Sequence, residues 1–171
     1  MIAKSYEMKR AGVKTGMPIW DAVRLCPKGI YVKRDFRWYE VLSRQMLDIM
    51  QRFSAQVEFY SIDEFFFAAE PEPGRSHQQL AEVLRDAILR EVGVPVTVGI
   101  ARTKTLAKLI SDSAKPFGAK AILDPGAERK LLAQLPVTEV SGIGERRAGR
   151  LAPYNIHTCL DRKSTRLNSS H

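Results

Sequence analysis

Apolar residues return along this chain in two rhythms, and the change from one to the other marks out its elements. From about Asp35 to Phe53, Trp38, Val41, Leu42, Met46, Ile49, Met50 and Phe53 keep helical spacing, which predicts a long amphipathic helix with its stripe against a sheet. A second stripe of Leu80, Val83, Leu84, Ala87, Ile88 and Val92 predicts another helix, ended by Gly93. Between them, Val57 to Phe67 is dense in aromatic and β-branched residues and reads as two short strands around a tight turn at Ser61 to Glu64.

The remaining elements are shorter. Ile2 to Gly16 predicts a small helix running up to Gly12, and Ile19 to Leu25 a second one stopped by Pro27 and Gly29. Ile30-Tyr31-Val32 reads as a short strand and Val94 to Ile100 as a longer one. Thr103 can cap a helix that continues through Lys115 to the break at Pro116, and Ala121-Ile122-Leu123 fits a closing edge strand. Helices and strands alternate around a hairpin, so the expected fold is an α+β sandwich with a mixed or antiparallel sheet.

Beyond Asp124-Pro125-Gly126 the pattern becomes a small helical unit, with Glu128 to Leu135 and Glu145 to Leu151 joined through Val140-Ser141-Gly142-Ile143-Gly144. Residues 162–171 carry one large aliphatic side chain and cannot extend that core, which predicts a disordered end of foreign character.

A chain of 171 residues with 44% hydrophobic content can build one good core or two small ones. The 27 Lys and Arg outnumber the 19 Asp and Glu, and the resulting charge of +8 favours a polyanion such as nucleic acid over mere solubilisation. Cys26 and Cys159 are too few for a disulfide scaffold or zinc cluster and are read as free thiols. No apolar window is long enough to span a bilayer and no signal-peptide core opens the chain, so a reducing, cytoplasmic setting and no membrane partner are expected.

Against that background Asp63 and Glu64 stand out, two adjacent carboxylates inside an otherwise strand-forming run. Carboxylates among apolar neighbours need a cationic partner or a divalent metal. In a continuous strand the two side chains would leave on opposite faces, whereas a tight turn projects both from one edge, and oxygen-only ligands suit magnesium. Lys104, Lys108 and Lys115 share one face of the helix after Val94 to Ile100, and that face is either a phosphate contact or an ordinary solvated surface. The glycines of Gly142-Ile143-Gly144, followed by Arg146, Arg147 and Arg150, permit close approach to a phosphate backbone in the manner of a helix-hairpin-helix, against the plainer alternative of a helix-joining turn.

Tyr60-Ser61-Ile62-Asp63-Glu64, Thr97-Val98-Gly99-Ile100-Ala101, Lys104-Thr105-Leu106-Ala107-Lys108, Ala114-Lys115-Pro116 and Val140-Ser141-Gly142-Ile143-Gly144 occur in this order, and Tyr6 to Lys14 precedes them. In this set the chain resembles the Y-family (UmuC/DinB-like) lesion-bypass DNA polymerases from Ile2 to about Leu160. The resemblance implies incomplete fingers over 1–34, a catalytic palm over 35–122 and the start of a thumb with a helix-hairpin-helix over 123–161. It implies metal-binding, catalytic roles for Asp63 and Glu64 with two Mg2+ ions, triphosphate contacts from Tyr6, Lys9 and Lys115, and DNA contacts from Gly142, Ile143, Gly144, Arg146 and Arg147.

Primer-template DNA and deoxynucleoside triphosphates are the implied partners, with a sliding clamp reached through a C-terminal region outside this chain. Lys9 stands where relatives carry arginine and Ala3 where some place a hydroxyl residue. The family's first strand, with a further metal-binding aspartate and the steric-gate aromatic, is expected ahead of Met1, and the isolated chain is therefore expected to have little or no polymerase activity. Two other readings are a catalytically silent, polymerase-like accessory protein and a basic nucleic-acid-binding module in which Asp63 and Glu64 merely pair with Lys or Arg.

Overall fold

A computed structural model describes residues 1–162; the expectation for the tail lies, but for Arg162, outside the described residues. The chain divides into two compact units, Met1–Phe36 and the remainder from Arg37 on. In the first unit, α1 spans Tyr6–Arg10 and α2 spans Ile19–Leu25. Ser5 caps α1 by accepting from the Met8 amide, and Gly12 follows in the left-handed conformation at φ 92°.

The strand expected at Ile30-Tyr31-Val32 does not form. Ile30 and Val32 are 87% and 83% exposed, while the Tyr31 hydroxyl donates to the carbonyls of Ala22 and Cys26. The tyrosine anchors an irregular segment to the end of α2, and β-branched residues without a neighbouring strand make no ladder.

The second unit is built on α3 (Phe36–Met50) and α4 (His77–Val92). Their stripes supply the main core, Met46, Ile49 and Met50 from α3 with Leu84, Ala87 and Ile88 from α4. A capping box at Ser76 and Gln79 starts α4, and Gly93 at φ 76° ends it. Two small sheets lie on these helices: an antiparallel hairpin of β1 (Val57–Ser61) and β2 (Glu64–Phe67), and a parallel pair of β3 (Val98–Ala101) and β4 (Ala119–Ile122). Val57, Phe65 and Phe67 of the hairpin and Val98 of β3 pack on the same core. The expected α+β class stands, with one antiparallel and one parallel sheet of two strands each among the described residues.

Strand β3 is shorter than the Val94 to Ile100 run because Val94 and Val96 join the core without entering a ladder. Parallel strands need a crossover, and α5 (Lys104–Ser113), capped by Thr103, provides it. The expected edge strand is thus β4, parallel to β3. Its outer rim is closed by Gln78 of α4, whose amide donates to the Ala119 carbonyl at 2.8 Å and accepts from the Ala121 amide at 3.0 Å. A side chain here takes the part of a neighbouring strand and blunts the edge. On the other face Gly99 meets α5 so closely that a Cβ there would lie 2.3 Å from the Ala107 carbonyl oxygen.

Past β4 the chain forms α6 (Pro125–Gln134) and α7 (Glu145–Leu151), and the described residues end in a helical turn over 159–162. Asp124 caps α6 with Pro125 in its first turn. Leu109 of α5, Leu132 of α6 and Cys159 form a second small core, and burial pushes the Cys159 thiol up. Both cysteines are free thiols.

Candidate active site

The turn at the tip of the hairpin decides where the acids go. Ser61 pairs with Glu64, so Ile62 and Asp63 form a two-residue turn, and a register shift between Phe59 and Ser61 leaves Tyr60 as an extra, bulged residue. Asp63 is exposed in the turn and Glu64 half-buried at the first position of β2. The Ser61 hydroxyl donates to Asp63 Oδ1 at 2.8 Å and accepts from the Asp63 amide at 3.4 Å, which fixes the aspartate at the tip.

Alternation along the hairpin gives its faces different chemistry. One face packs Val57, Phe65 and Phe67 on the core, with Phe59 edge-on to Phe65 at 5.3 Å. The other carries Glu58, Glu64 and Phe66, with Tyr60 edge-on to Phe66 at 5.4 Å. Two lysines of α5 reach the acids of this second face: Lys104 donates to Glu58 and Lys108 to Glu64.

The lysine face that was a candidate for phosphate is therefore engaged, at two positions, with carboxylates of the hairpin. A Lys or Arg partner for Glu64 was among the sequence expectations, without Lys108 being singled out, whereas the contact from Lys104 to Glu58 was not foreseen.

Lys115 follows the end of α5, seven residues past Lys108, and its ammonium lies 2.6 Å from Asp112 Oδ1. The bond from Lys115 to Pro116 is cis. Tyr6 and Lys9 belong to the first unit, three residues apart on α1, and both are exposed. Arg102, just after β3, pairs at 2.7 Å with Glu128 of α6, a carboxylate only 2% exposed. This contact joins the start of α5 to α6 and was also not foreseen.

Before α7 the chain turns through Gly142 at φ 85°, the Arg147 guanidinium donates to the Gly142 carbonyl, and Gly144 precedes the first turn. Ile143 is half-buried, while Arg146 and Arg147 are exposed.

Carboxylate oxygens at an accessible turn are hard donors suited to a small divalent cation. Among the described residues no group of three His, Cys, Asp or Glu could hold a metal ion. Asp63 and Glu64 therefore match such an ion in donor chemistry alone, two carboxylates being fewer than a complete ligand group.

The stretch that carries this hairpin and the two lysines that reach it falls within the match to a known family. The impB/mucB/samB family model matches residues 1–112, and the chain belongs to that family, as its resemblance to the Y-family polymerases implied. DNA polymerase IV 2 of Mesorhizobium japonicum is 37% identical over 163 residues, covering 92% of this chain and 38% of the relative. DNA polymerase IV of Stenotrophomonas maltophilia is 38% identical over 161 residues, covering 93% and 44%.

Among solved structures, DinB from Sulfolobus solfataricus superposes with a TM-score of 0.80 at 33% identity, covering 90% of this chain and 46% of that one. An insertion ternary complex of Dbh DNA polymerase gives a TM-score of 0.81 at 33% identity, covering 90% and 45%. The chain spans less than half the length of these relatives.

Proposed function

We propose that this chain carries part of the active site of a template-directed, lesion-bypass DNA polymerase that joins deoxynucleotides to a primer with two magnesium ions. The observation that carries the reading is the two-residue turn between β1 and β2, with Asp63 in the turn and Glu64 at the first position of β2. Asp63 would contact both ions, and Glu64 the one beside the primer 3′-hydroxyl. When bound, such ions stabilise the attacking and leaving oxygens of an in-line displacement. The protein's own part is to hold that pair of acids at an exposed edge, with Ser61 fixing Asp63 and the helical core fixing the strand beneath.

In this reading residues 1–34 are incomplete fingers, 35–122 the palm and 123–161 the start of the thumb. Tyr6, Lys9 and Lys115 contact the triphosphate. The turn at Gly142, Ile143 and Gly144, with Arg146 and Arg147, holds the DNA backbone as a helix-hairpin-helix. Primer-template DNA and deoxynucleoside triphosphates are the partners, a sliding clamp is reached through a region beyond this chain, and the setting is cytoplasmic; no described helix is long and apolar enough to cross a membrane. With two carboxylates to offer, the isolated chain extends primers poorly.

The test is primer extension by the full-length gene product. Asp63→Ala with Glu64→Ala is expected to abolish extension while leaving binding to primed DNA in place. Extension that survives both substitutions would refute the catalytic assignment. A basic nucleic-acid-binding module in which the acids pair with lysine is the second reading, favoured by the engagement of Glu64 with Lys108; full-length protein whose DNA binding is salt-sensitive, indifferent to magnesium and unaccompanied by extension would establish that role.

A further inference from the structure

The two hairpin acids differ in their company. Among the described residues Asp63 is exposed and tied only locally, to Ser61, whereas Glu64 accepts a hydrogen bond from the ammonium of Lys108, on a different element. The side chains of that pair are 24% and 35% exposed, against 64% and 48% for the neighbouring Lys104 and Glu58. Partial burial lowers screening, so the pair at the tip is the stronger of the two. A lysine ammonium is a compact charge on a flexible stem, able to hold a carboxylate and to swing off it without disturbing the backbone that carries it.

We infer that Lys108 is a resident counter-ion for Glu64 that competes with the divalent cation: it holds the carboxylate in place while the site is empty, and it must yield, at least in part, for the ion to bind. The inference rests on the metal-binding role proposed above and adds to it a positioning residue that tunes affinity. Held in this way, the ammonium keeps two adjacent negative side chains from repelling each other at an exposed turn. The same contact weakens the site for its ion, so that tight binding would need further negative charge, such as the phosphates of an incoming nucleotide, to draw Lys108 away.

The position of Lys108 is itself determined. Gly99 lets α5 sit directly on β3, and the Ser111 hydroxyl donates to the Thr97 carbonyl at 3.2 Å, fixing the helix against the strand. Lys104 lies one turn earlier on the same face and takes Glu58, four residues before the turn. It therefore offers an internal control, since its removal changes the net charge by the same amount without freeing Glu64.

Manganese binding to the 171-residue chain, followed by electron paramagnetic resonance of the free ion, tests the inference. Lys108→Met is expected to bind Mn2+ about tenfold more tightly than the parent chain. Lys104→Met should change affinity less than twofold, and Lys108→Met with Glu64→Gln should lose the gain. Lys108→Gln serves as a second variant, and urea unfolding verifies that each is folded.

Equal or weaker binding by Lys108→Met would overturn the competing role, as would an equal gain from Lys104→Met. Should neither the parent chain nor Lys108→Met bind more tightly than Asp63→Asn with Glu64→Gln, the metal-binding reading would fail and take this inference with it. Binding by the parent chain that Lys108→Met leaves unchanged would sink the inference alone.

Discussion

Replacing Gly99 with alanine puts a methyl group where the structure has backbone. An ideal Cβ at that position lies 2.3 Å from the Ala107 carbonyl oxygen, 2.5 Å from the Ser111 nitrogen and 3.0 Å from its Cα. None of these is the end of a flexible side chain, so relief requires β3 and α5 to separate by roughly 1 Å. Forcing atoms into a packed interface costs about 1–3 kcal/mol and occasionally more, and a clash with helix backbone on this scale belongs near the upper end, at about 3 kcal/mol. That is a large part of the ~5–15 kcal/mol that holds a domain folded.

Urea unfolding followed by circular dichroism measures the change, with Gly149→Ala as its partner. Gly149 lies exposed inside α7 with nothing within 4 Å of the place an added methyl would take, so alanine there should leave stability unchanged or raise it by about 0.5–1 kcal/mol. Gly99→Ala within about 0.5 kcal/mol of the parent would refute the close approach of α5 to β3, and with it the argument that places Lys108 over Glu64.

Gln78→Leu removes both hydrogen bonds to the rim of β4 and should cost about 1–3 kcal/mol in urea unfolding, with faster amide exchange at Ala121. The Ser43 hydroxyl is buried without a hydrogen-bond partner among the described residues, so Ser43→Ala should raise stability by about 1 kcal/mol in the same assay. Asp161 accepts from the Thr158 and His157 amides, and the Thr158 backbone bond above all, followed by its hydroxyl and the His157 amide, lowers its carboxyl below the ordinary value. A depressed folded-state value means that its stabilisation is present above the unfolded value of about 3.9 and is lost as pH falls through the lower folded value. Asp161→Asn should remove that part of the acid dependence, read from unfolding midpoints across pH 2 to 6.

Helices were the most legible part of the sequence where stripe and punctuation agreed. Ile19–Leu25 and Glu145–Leu151 fall where they were expected, and Gly93 ends α4 because a left-handed residue there closes the last turn. Strands were less legible, since a strand depends on its neighbour: Ile30 and Val32 have strand-forming side chains and no ladder, while Ala119 and Lys120 enter β4 because β3 lies beside them.

The carboxylate turn could be read from sequence because its geometry is local, two residues between paired strands. The identities of the partners, Lys108 for Glu64 and Arg102 for Glu128, could not, because each tie joins residues far apart in the chain whose approach is set by packing of α5.

The central claim is that the tip of the hairpin is a divalent-cation site, and the broadening of backbone amide resonances by substoichiometric Mn2+ tests it most directly. Selective loss of the Ser61, Ile62, Asp63 and Glu64 signals, reversed by excess Mg2+ and absent in Asp63→Asn with Glu64→Gln, is the predicted result. Broadening centred elsewhere, or unchanged when both acids are neutralised, would contradict it.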